Sequence, residues 1–265
     1  MKKRNLFPFY IGLILVIIYV PIILVIIYSF NQNRLSSVWS GFSLYWYMEL
    51  FRDRSMFEAL RNSLVLASLA SLCSAVIGTL GAAGMARRPP RSAGKAIEYL
   101  SILPIMTPEI ILGIAFLAFF TFLAIPAGMA TLVIAHTAFC VPYVYLLVKA
   151  RLAGLDKSYL EAARIMGASD MRAFYDITLP LMLPAVISGM LICFAMSFDD
   201  VIISVFVSGV HTNTLPMKIY SQIKTGVTPK TNAMCTLIFT FTVMLCLAAA
   251  ALAKRKKIRI LPKMR

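Results

Sequence analysis

The chain has 265 residues, of which 60% are apolar and 14% charged, and its mean hydropathy is +0.83. Soluble domains carry about 45–50% apolar and about 25% charged residues, so a water-soluble globule is excluded and the chain belongs in a bilayer. Its 26 basic and 11 acidic residues leave a net charge of +15. They sit in short blocks between long uncharged runs, which argues against a nucleic-acid partner.

Crossing about 30 Å of hydrocarbon as a helix takes roughly 20 apolar residues. Six runs qualify: 9–30, 62–86, 99–123, 129–148, 180 to about 204, and 233–253. Strand-like alternation is absent, and a helix satisfies its own backbone in lipid. The expected fold is therefore an all-α membrane protein with six transmembrane helices. The first run follows Lys2-Lys3-Arg4 like a signal peptide, but Ser29-Phe30-Asn31-Gln32 after it lacks a small-x-small cleavage pattern, so it reads as a retained first helix. Basic residues set the orientation. Nineteen of the 26 fall in the N-terminus, the 87–98 and 149–179 loops and the tail; seven fall in the other connections. This places both termini in the cytoplasm. The tail Lys254-Arg255-Lys256-Lys257 suits anionic headgroups.

In the second run Ser71, Ala75, Gly78 and Ala82 recur at helical spacing, with Gly81 and Gly84 beside them. Small residues on one face let helix backbones approach closely in lipid, which predicts a packed bundle. Pro104, Pro108 and Gly113 interrupt the third run, and Thr107-Pro108-Glu109 reads as a fresh helix start with Thr107 as N-cap. The five cysteines all fall in apolar runs without metal-ligand spacing and read as small buried hydrophobes. His136 lies mid-run and His211 in an outer loop, neither beside a catalytic pattern, so neither a catalytic residue nor a metal site is expected. There is no GxxxxGK[ST], so any ATP must be bound by another subunit. No cofactor is expected, and the chain is not expected to be an enzyme.

In the long loop, Leu155, Tyr159, Ala162, Ala163, Met166, Met171, Phe174 and Ile177 recur at three or four, interleaved with Asp156, Lys157, Glu161, Arg164, Asp170, Arg172 and Asp176. That pattern predicts one or two amphipathic helices across the cytoplasmic face, with a turn at Gly167. A lipid-surface helix would be polybasic. This loop holds five basic and four acidic residues, which suits a groove on a protein better.

Within it, Glu161-Ala162-Ala163, Gly167, Ile177, Leu179 and Pro180 stand at fixed spacing. This arrangement resembles the EAA loop of ATP-binding-cassette (ABC) importer permeases. The resemblance implies a coupling helix seated in a groove of a cytoplasmic ATPase, with Glu161 in polar contact there, Ala162 and Ala163 permitting close seating, and Gly167 turning the chain. It implies the type I importer fold: a five-helix core over 60–253 that includes the coupling loop 149–179, preceded by a first helix and outer loop (1–59) and followed by a basic tail (254–265). Ser29-Phe30-Asn31, Ser197-Phe198-Asp199-Asp200, the run from Leu215 to Tyr220, Gly226-Val227-Thr228-Pro229 and Asn232-Ala233 are similar to the spermidine/putrescine importer permeases, closest to the smaller of that importer's two permease subunits. The implied setting is a bacterial cytoplasmic membrane. The implied partners are two ATPase copies, a second homologous permease and an extracytoplasmic binding protein.

The residues agree on the sign of the cargo. Glu109, Asp199 and Asp200 lie in or at the edge of apolar runs that hold no Lys or Arg. A carboxylate near the bilayer centre costs about 2.5–3.5 kcal/mol, so such groups line a polar path or meet a partner. A polyamine would supply the missing cations, with Phe194, Phe198 and Phe206 near enough in sequence for cation–π contact. For Asp199 the alternative role is helix capping or pairing with Lys218 or Lys224, and for Glu109 it is the helix start itself; adjacent Asp199 and Asp200 point about 100° apart on a helix.

Overall fold

The computed structural model describes residues 7–34, 38–87, 99, 101–156 and 158–260. Lys2-Lys3-Arg4, most of the 87–98 loop, Lys157, the side chain of Cys246 and the basic side chains of the tail lie outside the described residues. The helices are α1 (Phe7–Tyr28), α2 (Tyr45–Arg52), α3 (Arg54–Arg87), α4 (Glu109–Phe122), α5 (Met129–Ala153), α6 (Ser158–Ile165) and α7 (Asp170–Ala173). A π-helical turn (Phe174–Thr178) leads into α8 (Leu179–Asp199), and α9 (Ile202–Val207), α10 (Leu215–Thr225) and α11 (Pro229–Ile260) follow. Among the described residues four stretches, Pro8–Tyr28, Arg54–Ala86, Met129–Ala153 and Asp170–Asp199, are long and apolar enough to cross a membrane. Glu109–Phe122 is apolar but shorter.

The third run divides at the expected place but not by the expected cap. Residues 101–106 are helical, and α4 restarts at Glu109 with Pro108 in the extended region before it (ψ 134°). Thr107 Oγ1 donates back to the Leu103 carbonyl at 2.9 Å. A residue before proline is pushed out of the helical region, so Thr107 closes the preceding turn and does not cap the next.

The chain divides into two compact units. The first combines Met1–Met56 with Ser221–Arg265; in it α1 and α2 both pack on α11. No residue in the most apolar stretch of α1 is buried. A helix apolar all round that stays largely exposed beside a single neighbour is suited to face lipid. Asn31, fully buried, ties down the connection after it: its Nδ2 donates to the Val38 carbonyl (2.7 Å) and its Oδ1 accepts the Ser40 N–H (3.0 Å).

In the same unit Asp53 joins two helix starts. Its Oδ1 accepts the Ser55 hydroxyl (2.9 Å) and the Met56 N–H (3.2 Å), capping α3, and its Oδ2 accepts Lys230 Nζ at 2.7 Å. Burial alone would raise this carboxyl; the hydrogen bonds from Lys230, Ser55 and Met56 and the Lys230 charge overcome it and lower the pKa from 3.8 to about 2. A depressed carboxyl contributes stability above its unfolded value and loses it as the folded value is approached. After solvent screening this is worth about 1 kcal/mol. Thermal unfolding of detergent-solubilised wild type and Asp53→Asn should therefore differ by a constant gap at neutral pH. The gap should close as pH falls from about 4 toward 2. A gap insensitive to pH would mean the charge contributes nothing.

The second unit, Phe57–Tyr220, has α5 at its centre. The core gathers Leu66 of α3, Phe120 of α4, Leu132, Phe139, Cys140 and Val144 of α5, Cys193 of α8 and Ile203 of α9. Ser71, Ala75, Gly78 and Ala82 are all buried, so the small-residue stripe packs as the spacing requires. A Cβ at Gly78 would stand 2.8 Å from Val144 Cβ, and one at Gly189 of α8 would stand 3.2 Å from Val144 Cα. Helices α3 and α8 thus approach the α5 backbone at the same residue. Ser74 Oγ adds a bond to the Thr137 carbonyl at 3.2 Å. Cys140 and Cys193 are buried as expected, but Cys73 faces outward from α3. A thiol is apolar enough to face lipid as readily as a core.

Candidate functional site

The fifth run is not one helix. α8 stops at Asp199, Asp200 is extended (φ −67°, ψ 131°) and α9 restarts at Ile202. The break has a local cause: the Asp200 carboxylate accepts the N–H groups of Ile203 (3.2 Å) and Ser204 (2.8 Å), satisfying donors that a new helix leaves free. Asp200 is consequently buried, only 9% exposed. Its neighbour Asp199 is exposed at the C-terminal end of α8, the negative end of the helix dipole, where a carboxylate is not favoured.

α9 packs along α4, close enough that a Cβ at Gly113 would strike the Phe206 ring. This packing brings Glu109, exposed in the first turn of α4, within electrostatic reach of both aspartates. Among the described residues, neither Glu109 nor Asp199 is held by a hydrogen bond or ion pair. The two sequence-adjacent acids therefore differ in kind: Asp200 is buried and held by backbone donors, whereas Asp199, like Glu109, is exposed. Phe194 and Phe198 stack at 6.1 Å with an interplanar angle of 12°, both half-buried on the last turns of α8.

Sequence reading passed over His136, which is fully buried in α5. Its Nδ1 lies 2.8 Å from Ser197 Oγ, its Nε2 3.1 Å from Ser204 Oγ and 3.4 Å from Asp200 Oδ2. These partners are 61 to 68 residues away, so no local pattern reveals them. The one available signal was the imidazole itself, since a polar group in mid-run must find partners when lipid or core surrounds it.

The loop carrying the Glu-Ala-Ala pattern lies at the other ends of α5 and α8. Glu161 is exposed in the first turn of α6; Ala162 is exposed, and Ala163 is buried. α6 stops at Gly167, whose φ of +83° favours glycine. Ser169 Oγ then accepts the Arg172 N–H (3.3 Å) to start α7, and Arg164 Nη2 pairs with Asp170 Oδ1 (3.2 Å) across the turn. Ile177 and Leu179 are half-buried, and Pro180 is exposed in the first turn of α8, where its missing N–H costs nothing.

The apolar positions of the loop divide between an inward and an outward side. Ala163 and Phe174 point inward, while Tyr159, Met166 and Met171 project outward with Ile165 and Tyr175. Two short helices joined by a left-handed turn expose different faces, and a strict period cannot run through both. An open cavity of about 740 Å³ lies behind the loop, lined among others by Ala86, Lys149, Leu152, Glu161, Arg164 and Phe174.

The all-helical body thus carries an acidic helix break after α8 and an exposed loop of the Glu-Ala-Ala pattern before it. A profile of the binding-protein-dependent transport system inner membrane component family matches residues 75–257, and the chain belongs to that family. It is 38% identical over 253 residues to the spermidine/putrescine transport system permease protein PotC of Haemophilus influenzae, covering 95% of this chain and 96% of that protein. It is 39% identical over 227 residues to the putrescine transport system permease protein PotI of Escherichia coli K12, covering 83% and 81%. The fold is similar to that of a bacterial ABC transporter involved in the import of the acidic polysaccharide alginate (TM-score 0.71, 14% identity, 95% and 98% covered). It is also similar to inward-facing conformations of the MetNI methionine ABC transporter (TM-score 0.59, 19% identity, 79% and 97% covered).

Proposed function

We propose that this chain forms half of a path through which polyamines, spermidine or putrescine, enter the cell. The observation that carries this reading is the pair of outward-presented carboxylates, Glu109 and Asp199, on packed helix ends beside the buried Asp200. Such a surplus of negative charge calls for a cargo with several ammonium groups and disfavours an anion. Likeness along nearly the whole chain to a permease named for spermidine and putrescine supports the same cargo.

In this reading six helices cross a bacterial cytoplasmic membrane with both termini in the cytoplasm. Residues 60–253 form the five-helix core, 1–59 the first helix and outer loop, and 254–265 a basic tail on the headgroups. An extracytoplasmic binding protein delivers the cargo, a second homologous permease completes the path, and two ATPase copies power it. ATP closes the ATPases, which draws the loop around Glu161, Ala162, Ala163 and Gly167 inward and opens the path outward; hydrolysis reverses the motion. Ile177, Leu179 and Pro180 transmit it to α8, whose far end carries Phe198 and Asp199.

Uptake of labelled putrescine and spermidine by cells lacking this gene, with and without the wild-type copy, tests the cargo. Loss on deletion and recovery on restoration are expected. Unchanged uptake in a strain without a second polyamine carrier would sink the polyamine reading and point to another cationic or small polar solute.

A further inference from the structure

We infer that His136 is a positioning residue that fixes the Asp200 carboxylate in the wall of the path without cancelling its charge; this rests on the polyamine reading above. Asp200 Oδ1 accepts the Ile203 N–H, and Oδ2 accepts the Ser204 N–H with His136 Nε2 3.4 Å away. A carboxylate 3.4 Å from Nε2 favours the tautomer with its proton there, directed at Ser204 Oγ at 3.1 Å. Nδ1 is then the acceptor for the Ser197 hydroxyl at 2.8 Å. One imidazole thus ties α5 to the last turn of α8 through Ser197 and to the first turn of α9 through Ser204 and Asp200, spanning both sides of the helix break.

The residue type decides the electrostatics. A lysine or arginine in this place would neutralise Asp200; an imidazole provides a polar contact without a permanent charge. The carboxylate accepts two backbone N–H groups, has His136 Nε2 3.4 Å from Oδ2, and stands next in sequence to the outward-presented Asp199. His136 therefore preserves the negative field at Glu109 and Asp199 while preventing Asp200 from turning to the cargo itself.

The test is labelled putrescine uptake per assembled transporter, in cells expressing the full complex, with the amount of complex measured separately. His136→Leu should lower uptake per complex about tenfold, a quantity that a folding or assembly defect alone would leave unchanged. In an Asp200→Asn background the same substitution should change it less than about twofold, because the group being positioned is gone. Unchanged uptake per complex, or an equal loss in both backgrounds, would overturn the inference. Should His136→Leu not assemble, His136→Gln, which keeps a donor near Nε2, should retain uptake and His136→Asn, which does not, should lose it; equal behaviour of that pair overturns the inference too. A wild-type complex that moves no putrescine overturns the polyamine reading and this inference with it, whereas wild-type uptake with indifferent His136 variants overturns the inference alone.

Discussion

Asp199→Asn should lower polyamine uptake by roughly ten- to a hundredfold while leaving the amount of protein in the membrane unchanged. The magnitude follows from the interaction lost: a hydrogen bond to a charged group is worth about 1.5–3 kcal/mol, and each 1.4 kcal/mol is about a tenfold change in rate or affinity. The stability side follows from position. Asp199 is exposed at the end of α8, with no hydrogen bond or ion pair among the described residues, and sits at the dipole end that disfavours it. Removing the charge therefore costs the fold nothing and should slightly stabilise it. Asp199→Glu should keep much of the uptake. Transport of labelled putrescine, normalised to protein detected in membranes, reads both quantities. If Asp199→Asn transports normally, the cargo does not pass this carboxylate.

The second large effect is expected at the opposite end of the same helix system. Glu161→Lys should reduce uptake at least tenfold by weakening association with the ATPase subunits, with the permease itself still inserted. Glu161 is exposed on a short helix, so the fold is indifferent to its identity. Reversing a charge in an interface costs several kcal/mol through like-charge contact and an unpaired partner. The surrounding surface has the composition of a protein contact, with Tyr159, Ile165, Met166 and Tyr175 exposed around the charged pair Arg164 and Asp170. Co-purification of the ATPase through a tag on this chain measures association directly. Normal co-purification with normal uptake would remove Glu161 from the coupling contact. Ala163 is a contrasting position: it is 2% exposed, and a larger side chain there would disturb the loop from inside instead of changing its partner.

The sequence and the structure agree where the physics is local. Long uncharged runs demand helices in lipid, and the small-residue stripe of α3 and the stop at Gly167 can each be read from neighbouring residues. They diverge where a decision depends on which donors lie nearby in space. The run from Pro180 looked continuous because every residue in it but the two aspartates is compatible with an apolar helix; Asp200 ends it by capping a new one. In the loop, the three-to-four spacing and Gly167 predicted amphipathic helices with a turn, which the structure has, but only packing decided that Ala163 and Phe174 face inward while Met166 and Met171 face outward.

Composition and charge placement alone determined that this is a helical membrane protein whose apolar runs carry acidic residues and no basic ones, because transfer from water and the cost of isolated charge depend on each segment separately. The spacing around Glu161 likewise carried the resemblance to the EAA loop of ABC importer permeases without coordinates. Only the tertiary structure decided which of two adjacent aspartates is free and which is held, and that a histidine 64 positions before Asp200 holds it. Hydrogen bonds act within about 3 Å in space, and the packing of α5 against α8 and α9 is what brings those atoms together.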